Sequence, residues 1–135
     1  VLRQSEIGGF ILRLVLGATF IMHGLAKWQE GIPTVAERFA NYNLPYAELL
    51  AYGVTGLETI GGIFLIIGFS IRFFAFLFVL LMAGAIATVK YDAGFLHGYE
   101  LDVALMAMAA YLLFASNRFL ALDNFIVEEK KKKNK

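Results

Sequence analysis

The apolar run from Tyr52 to Phe69 carries a single carboxylate, Glu58, inside the segment Gly56-Leu57-Glu58-Thr59-Ile60-Gly61-Gly62. No other feature limits the fold so tightly. If the run crosses a bilayer as a helix, Glu58 lies near the middle of the hydrocarbon, where a charge is expensive unless it is paired, wetted or protonated. At helical spacing Thr55, Gly61 and Gly62 fall on the side of the acid and Leu65 continues it. Small residues let a second helix come close, so this face is expected to point into the protein. Glu58 is then either one half of a structural ion pair or part of a pair that also lines a functional cavity.

Of the 135 residues, 59% are hydrophobic and 17% charged. A soluble domain of that size would expose too much apolar surface, which places the chain among integral membrane proteins. The absence of cysteine excludes disulfides, thiolate nucleophiles, cysteine-ligated clusters and a self-contained dithiol relay. Electrons, if this protein handles them, must be carried by a cofactor, a quinone or a partner. No cleavable signal peptide is expected, because the first apolar run is of full spanning length and no small-residue cleavage site follows it.

The expected fold is all-α: a bundle of four transmembrane helices over about 7–27, 47–69, 73–89 and 100–115, forming one domain from 1 to 127. On the first span Arg13, Gly17, Phe20, Gly24 and Lys27 share one side, flanked by His23, and this side should look inward. Between spans one and two, Thr34 followed by Glu37 reads as a capping box, and Val35, Phe39 and Tyr42 as a short apolar stripe. The reading is a short helix at the membrane surface with Trp28, Tyr42 and Tyr46 at headgroup level, or an ordinary helix over the bundle mouth. The third span holds no charge before Lys90 and shows no chemistry. Residues 128–135 form a lysine-rich tail, with five lysines in the last six positions, read as a disordered charge run or a weak anchor for anionic lipid headgroups. One side of the bundle carries Arg3, Arg72, Arg118 and these lysines, the other only Lys27, Arg38 and Lys90, so both termini should be cytoplasmic.

Counting depth at ~1.5 Å per residue puts Arg13 ~9 Å and Glu58 ~14 Å above the cytoplasmic surface, an offset an arginine spans. A structural Arg13–Glu58 ion pair follows. His23 and Asp102 come out at ~6 Å and ~5 Å below the outer surface, on one level, with Lys27, Lys90, His97 and Glu100 as a rim above them. Such an outward-facing pocket suits a polar aromatic headgroup such as a quinone, whose carbonyls accept hydrogen bonds and whose reduction needs protons. The candidate ligand-binding residues are Arg13, His23, Lys27, Glu58, Glu100 and Asp102. Each has a structural alternative: snorkelling anchors for Lys27 and Lys90, a satisfied core residue for His23, dipole-favoured first-turn acids for Glu100 and Asp102. No metal-ligand set is apparent. A haem between His23 and His97 finds no supporting spacing, so no tightly bound cofactor is expected.

Taken in order, these stretches resemble the DoxX family of small four-helix membrane proteins over nearly the whole chain. The resemblance is carried by an arginine-containing first span ending in Phe20-Ile21-Met22-His23-Gly24-Leu25-Ala26-Lys27, by Glu58 with Gly61, Gly62 and Gly68 followed by Arg72, and by the closing Phe119-Leu120-Ala121-Leu122-Asp123. It is closest in character to the short bacterial CatD-like subset, which accompanies catechol and quinone detoxification. Other relatives belong to thiosulfate:quinone oxidoreductases, or associate with a superoxide dismutase and a sulfurtransferase. The resemblance implies redox work in a bacterial cell membrane with quinones nearby. In that reading the pocket holds a quinone or quinol, with His23 as hydrogen-bond partner or proton donor and Lys27 as electrostatic clamp. Glu100 or Asp102 orients His23, and Glu58 with Arg13 fixes the helices and relays a proton. The rivals are a non-catalytic scaffold that docks a soluble redox or detoxifying enzyme, and a small-solute or proton conduit. The lipid bilayer is the expected surrounding, nucleic acid is not an expected partner, and a homo-oligomer is left open.

Overall fold

A computed structural model of the chain describes residues 4–115 and 121–134. Arg3 and Arg118, which enter the charge asymmetry, Phe119 and Leu120 of the closing motif, and Lys135 of the tail lie outside the described residues. Among the described residues the fold is all-helical. Helix α1 is Gln4–Glu30, α2 is Ile32–Asn41, α3 is Ala47–Ile67, α4 is Ile71–Ala93, α5 is Glu100–Phe114 and α6 is Leu122–Lys133.

Three of these, α1, α3 and α4, are long and apolar enough to cross a membrane. Helix α5 has 15 residues, about 22 Å at ~1.5 Å per residue, shorter than a ~30 Å hydrocarbon core. The expected spans reappear as helices with ends moved by a few residues, and α4 runs on past Lys90 to Ala93, into the stretch between the expected third and fourth spans. The tail departs from expectation: Leu122–Lys133 is helical rather than irregular, with Leu122, Phe125 and Ile126 exposed ahead of its lysines.

The inward faces follow the small residues. Helix α1 buries Gly9, Arg13, Leu16, Gly17, Phe20 and Gly24, and α3 buries Ala51, Thr55, Glu58, Gly61, Gly62 and Leu65. The contact is close because it lacks side chains: a Cβ on Gly17 would lie 2.6 Å from the Gly62 carbonyl oxygen, and one on Gly24 would lie 2.9 Å from the Thr59 nitrogen. The main core then fills the space between these helices, α4 and α5, with Phe20 stacked on Phe78 at a ring-centroid distance of 3.8 Å. A smaller cluster of Ile32, Val35 and Ala51, with Ala36 and Phe39 against it, seats α2 on the start of α3.

Helix α2 does not begin with the Thr34 capping box. It starts at Ile32, with Gly31 at φ 93° as its N-cap, no side-chain cap, and Pro33 in its first turn. Proline is preorganised for that turn and lacks the N–H a cap would satisfy, so the start is set upstream of Thr34.

The bundle end that holds the α3–α4 turn is closed by backbone capping. Gly68, at φ 77°, donates from its N–H to the Phe64 oxygen, as does the N–H of Phe69. The N–H groups of Ser70 and Ile71 donate to Asp123 Oδ1 and Oδ2 at 2.8 and 3.0 Å. With those donors spent, the last-turn carbonyls of Leu65 and Ile66 lack helical partners. Arg13, fully buried, supplies them: Nε donates to Leu65 O at 3.1 Å and Nη2 to Ile66 O at 3.2 Å. Its guanidinium also lies 5.3 Å from the Phe10 ring centroid. Arg13 is thus a cap for α3, and Asp123 a cap for α4.

Close glycine packing makes a direct prediction. Gly17→Val should destabilise the bundle by about 1–3 kcal/mol, the usual cost of overpacking. Gly53→Ala, where an added Cβ meets nothing within 4 Å, should leave the melting temperature unchanged or slightly raised. Thermal unfolding of purified protein in detergent distinguishes them, and equal melting temperatures for the two variants would refute the close α1–α3 contact.

Candidate functional site

A cavity of about 370 Å³ opens at the other end of the bundle, where α1 and α4 finish and α3 and α5 begin. Its walls are mainly apolar: Phe20 from α1, Leu50 and Val54 from α3, Leu80, Leu81 and Met82 from α4, and Leu101 and Leu105 from α5. Phe39 of α2 and Leu44 of the following turn cover it. Gly84 contributes to the volume by lacking a side chain, since a Cβ there would meet nothing within 4 Å.

Set into this apolar wall are two lysine–carboxylate pairs and a histidine. Lys27 Nζ donates to Glu58 Oε2 at 2.8 Å. Lys90 Nζ lies 2.8 Å from Asp102 Oδ2 in a second ion pair. The acids are the deeper partners: the Glu58 and Asp102 side chains are each 6% exposed, against 18% for Lys27 and 39% for Lys90. The lysines reach down from wetter positions on long apolar stems to charges the fold has desolvated.

Both pairs involve a π-helical turn. Glu58 lies in Leu57–Gly61, which interrupts an otherwise α-helical segment, and Lys90 ends Ile86–Lys90, which follows the α-helical part of α4 and leads into a 3-10 turn at Tyr91–Ala93. Such a turn adds a residue to the helix and rotates the side chains on either side of it relative to one another, and it is frequent at functional sites. Thr59 steadies the first of them, donating from Oγ1 to the Thr55 carbonyl at 2.8 Å while accepting from Trp28 Nε1 at 3.1 Å. This contact also ties the end of α1 to α3 beside the Lys27–Glu58 pair.

His23 lines the cavity from α1 and remains exposed. Its Nδ1 is 2.8 Å from the Thr19 carbonyl oxygen, which can only accept, so Nδ1 carries the proton in this contact. In the neutral ring Nε2 is then an acceptor. Thr88, also on the lining, donates its hydroxyl proton to the Gly84 carbonyl at 2.6 Å.

The structure lines one cavity with His23, Lys27, Glu58, Lys90 and Asp102; the depth count put His23 and Asp102 on one level with Lys27 and Lys90 above them, but set Glu58 deeper, beside Arg13. It separates Arg13 and Glu100 from them. Arg13 does not pair with Glu58: it is level with Leu65 and Ile66, seven or eight residues further along α3, roughly 10 Å away along the axis. The depth count assumed span ends, whereas the offset between α1 and α3 is fixed by the glycine contacts and by the unpaired carbonyls where α3 stops. Glu100 is exposed and absent from the lining, as is His97, held at φ 63° in the α4–α5 connection. The role given to Glu100 in orienting His23 passes to the Thr19 carbonyl. Sequence reasoning also missed the whole α4 wall, whose only polar signals are Thr88 and Lys90.

The pairing is testable by energetic coupling. Lys27→Met should cost about 3–5 kcal/mol by leaving Glu58 buried without its counter-charge, and adding Glu58→Leu should restore much of that loss. Arg13→Leu and Glu58→Gln should instead add to within about 0.5 kcal/mol. Chemical unfolding in mixed micelles measures both cycles, and strong Arg13–Glu58 coupling with none between Lys27 and Glu58 would overturn the assignment.

Comparison with known proteins agrees with the sequence resemblance. The chain is 38% identical over 132 residues to "Putative oxidoreductase CatD" of Bacillus subtilis (strain 168), covering 98% of this chain and 96% of that protein. No solved structure gives a significant match. The DoxX sequence profile matches residues 8–91, a stretch that includes His23, Lys27, Glu58 and Lys90 and stops short of Asp102. With a profile match over more than half its length and a relative of this identity along nearly all of it, the chain belongs to the DoxX family.

Proposed function

We propose that this protein is a membrane oxidoreductase component that binds the ring of a quinone or quinol in the cavity between α1, α3, α4 and α5, in the service of quinone or catechol detoxification. The observation that carries the reading is the juxtaposition of a mainly apolar cavity of about 370 Å³ with two buried carboxylates, two lysines and a histidine. Ligand pockets of ~300–1,000 Å³ with apolar walls and a few convergent polar groups are the usual form of a small-molecule site. The 38% identical Bacillus protein carries the name of an oxidoreductase, which favours redox chemistry over transport.

In this reading the apolar walls take the ring and the first part of any tail. The polar groups meet the ring oxygens, Lys27 and Lys90 donating to a carbonyl and His23, Glu58 and Asp102 accepting from a hydroxyl. Interconversion of quinone and quinol moves two protons with two electrons. The side chains of the pocket supply or remove the protons. Since the chain contains no cysteine, a cofactor or a separate redox partner takes or gives the electrons. The topology that accompanies this proposal has four spans in a bacterial cell membrane, both termini cytoplasmic and the pocket toward the exterior. It rests on Arg72 and the lysines of α6 at one end against Lys27, Arg38 and Lys90 at the other.

Trp28, the sole tryptophan, is hydrogen-bonded to Thr59 next to Glu58 and provides a built-in reporter. Titration of the protein in nanodiscs with duroquinone should quench its fluorescence saturably. Glu58→Gln and His23→Phe should each weaken the apparent affinity about tenfold, one charge-assisted hydrogen bond being worth ~1.5–3 kcal/mol. Quenching of the same strength in folded variants at both positions would exclude this site.

A further inference from the structure

The hydrogen-bonding census of the cavity is lopsided. Among the described residues Lys27 reaches only Oε2 of Glu58, leaving Oε1 without a protein donor. Asp102 Oδ2 is buried and, beside its ion pair with Lys90, receives no hydrogen bond. His23 has placed its Nδ1 proton on the Thr19 carbonyl, which leaves Nε2 as a lone pair in the neutral ring. Thr88 has placed its hydroxyl proton on the Gly84 carbonyl, so that its oxygen too retains only lone pairs. Four groups around one cavity can therefore accept a hydrogen bond from a guest, and of these His23 and Thr88 are also exposed to water.

The donors are differently placed. Lys27 and Lys90 each spend one N–H on a carboxylate and hold two more, but their side chains are 18% and 39% exposed and can complete their hydration outside the cavity. Glu58 and Asp102, at 6% each, have far less access to water. A buried acceptor left without a donor bears its full desolvation penalty, while a partly wetted ammonium does not. The unmet demand in the dry part of the site is for hydrogen-bond donors.

We infer that the pocket is built for the reduced, dihydroxylated form of its ring ligand: a quinol offers two O–H donors to these acceptors, whereas the corresponding quinone offers none. This rests on the pocket being a ring-binding site, as proposed above, and assigns it a preferred redox state. The protein thereby stabilises the quinol side of the couple, and the bound ring is held with its hydroxyl protons already directed at groups able to accept them.

The test is direct comparison of one ring in two states with the wild-type protein, so it does not depend on any variant folding. Duroquinone and duroquinol, fully methylated and hence inert to addition by lysine, are titrated anaerobically into the full chain in nanodiscs by calorimetry. The quinol should bind about tenfold more tightly. Asp102→Asn, which keeps the shape but replaces one acceptor oxygen with a donating amide, should reduce that preference severalfold, chiefly by weakening the quinol. Equal affinities, or tighter binding of the quinone, would overturn the inferred redox preference while leaving the ring-binding site standing. Saturable quinol binding whose preference is untouched by Asp102→Asn and by Glu58→Gln would overturn the acceptor assignment. Binding of neither form would overturn both this inference and the ring-binding reading beneath it.

Discussion

The ion pair between Lys27 and Glu58 is the constraint around which this bundle is arranged. A carboxylate 6% exposed in the inner face of an apolar helix is tolerable only with a cation in contact, and the cation lies on the neighbouring helix at 2.8 Å. To bring it there α1 and α3 must approach closely, which Gly17, Gly24 and Gly62 permit. The π-helical turn at Leu57–Gly61 then sets the direction of Glu58 relative to the rest of α3. The pair is no gain in stability over an apolar contact of the same shape, since desolvation offsets most of its Coulomb energy. The pair stands at the wall of a cavity.

The two ends of the bundle deal with internal charge in opposite ways. At the α3–α4 turn, Arg13 and Asp123 are spent on backbone groups: two carbonyls at the end of α3 and two amides at the start of α4. That end has its polar needs met by capping and positions helices. At the other end the charges are matched side chain to side chain, with oxygens and a ring nitrogen left over that face a cavity. Among the described residues the cavity and the charged side chains that line it lie at this second end, where Phe39 of α2 and Leu44 of its following turn join the lining.

Much of this was legible in the order of residues. The helices and their inward faces follow from apolar length and from the recurrence of small residues at helical spacing, and the depth count put His23 and Asp102 on one level, whereas it set Glu58 deeper than the cavity it lines. The partner of Glu58 was not legible. Two cations on α1 satisfied the same face, and choosing between Arg13 and Lys27 requires the axial register of α1 against α3, which is decided by contacts at Gly17 and Gly24 and by where α3 ends. Nor does any sequence pattern announce the π-helical turns that carry Glu58 and Lys90, because their local composition is that of ordinary apolar helix. The Lys90–Asp102 pair escaped for a further reason: Lys90 opens the stretch 90–99, whose composition reads as a connection, yet the helical path of α4 continues into it as far as Ala93. Glu100, only two residues from Asp102, lies on the opposite side of the first turn of α5 and faces away.

Infrared difference spectroscopy on the protein reconstituted in lipid tests the central claim most directly, because it observes the carboxylates themselves. Addition of a quinol should shift ionised-carboxylate stretching bands, with one component absent in Glu58→Gln and another absent in Asp102→Asn. A difference spectrum without carboxylate bands, or one whose bands persist in both variants, would contradict a binding site formed by these two acids.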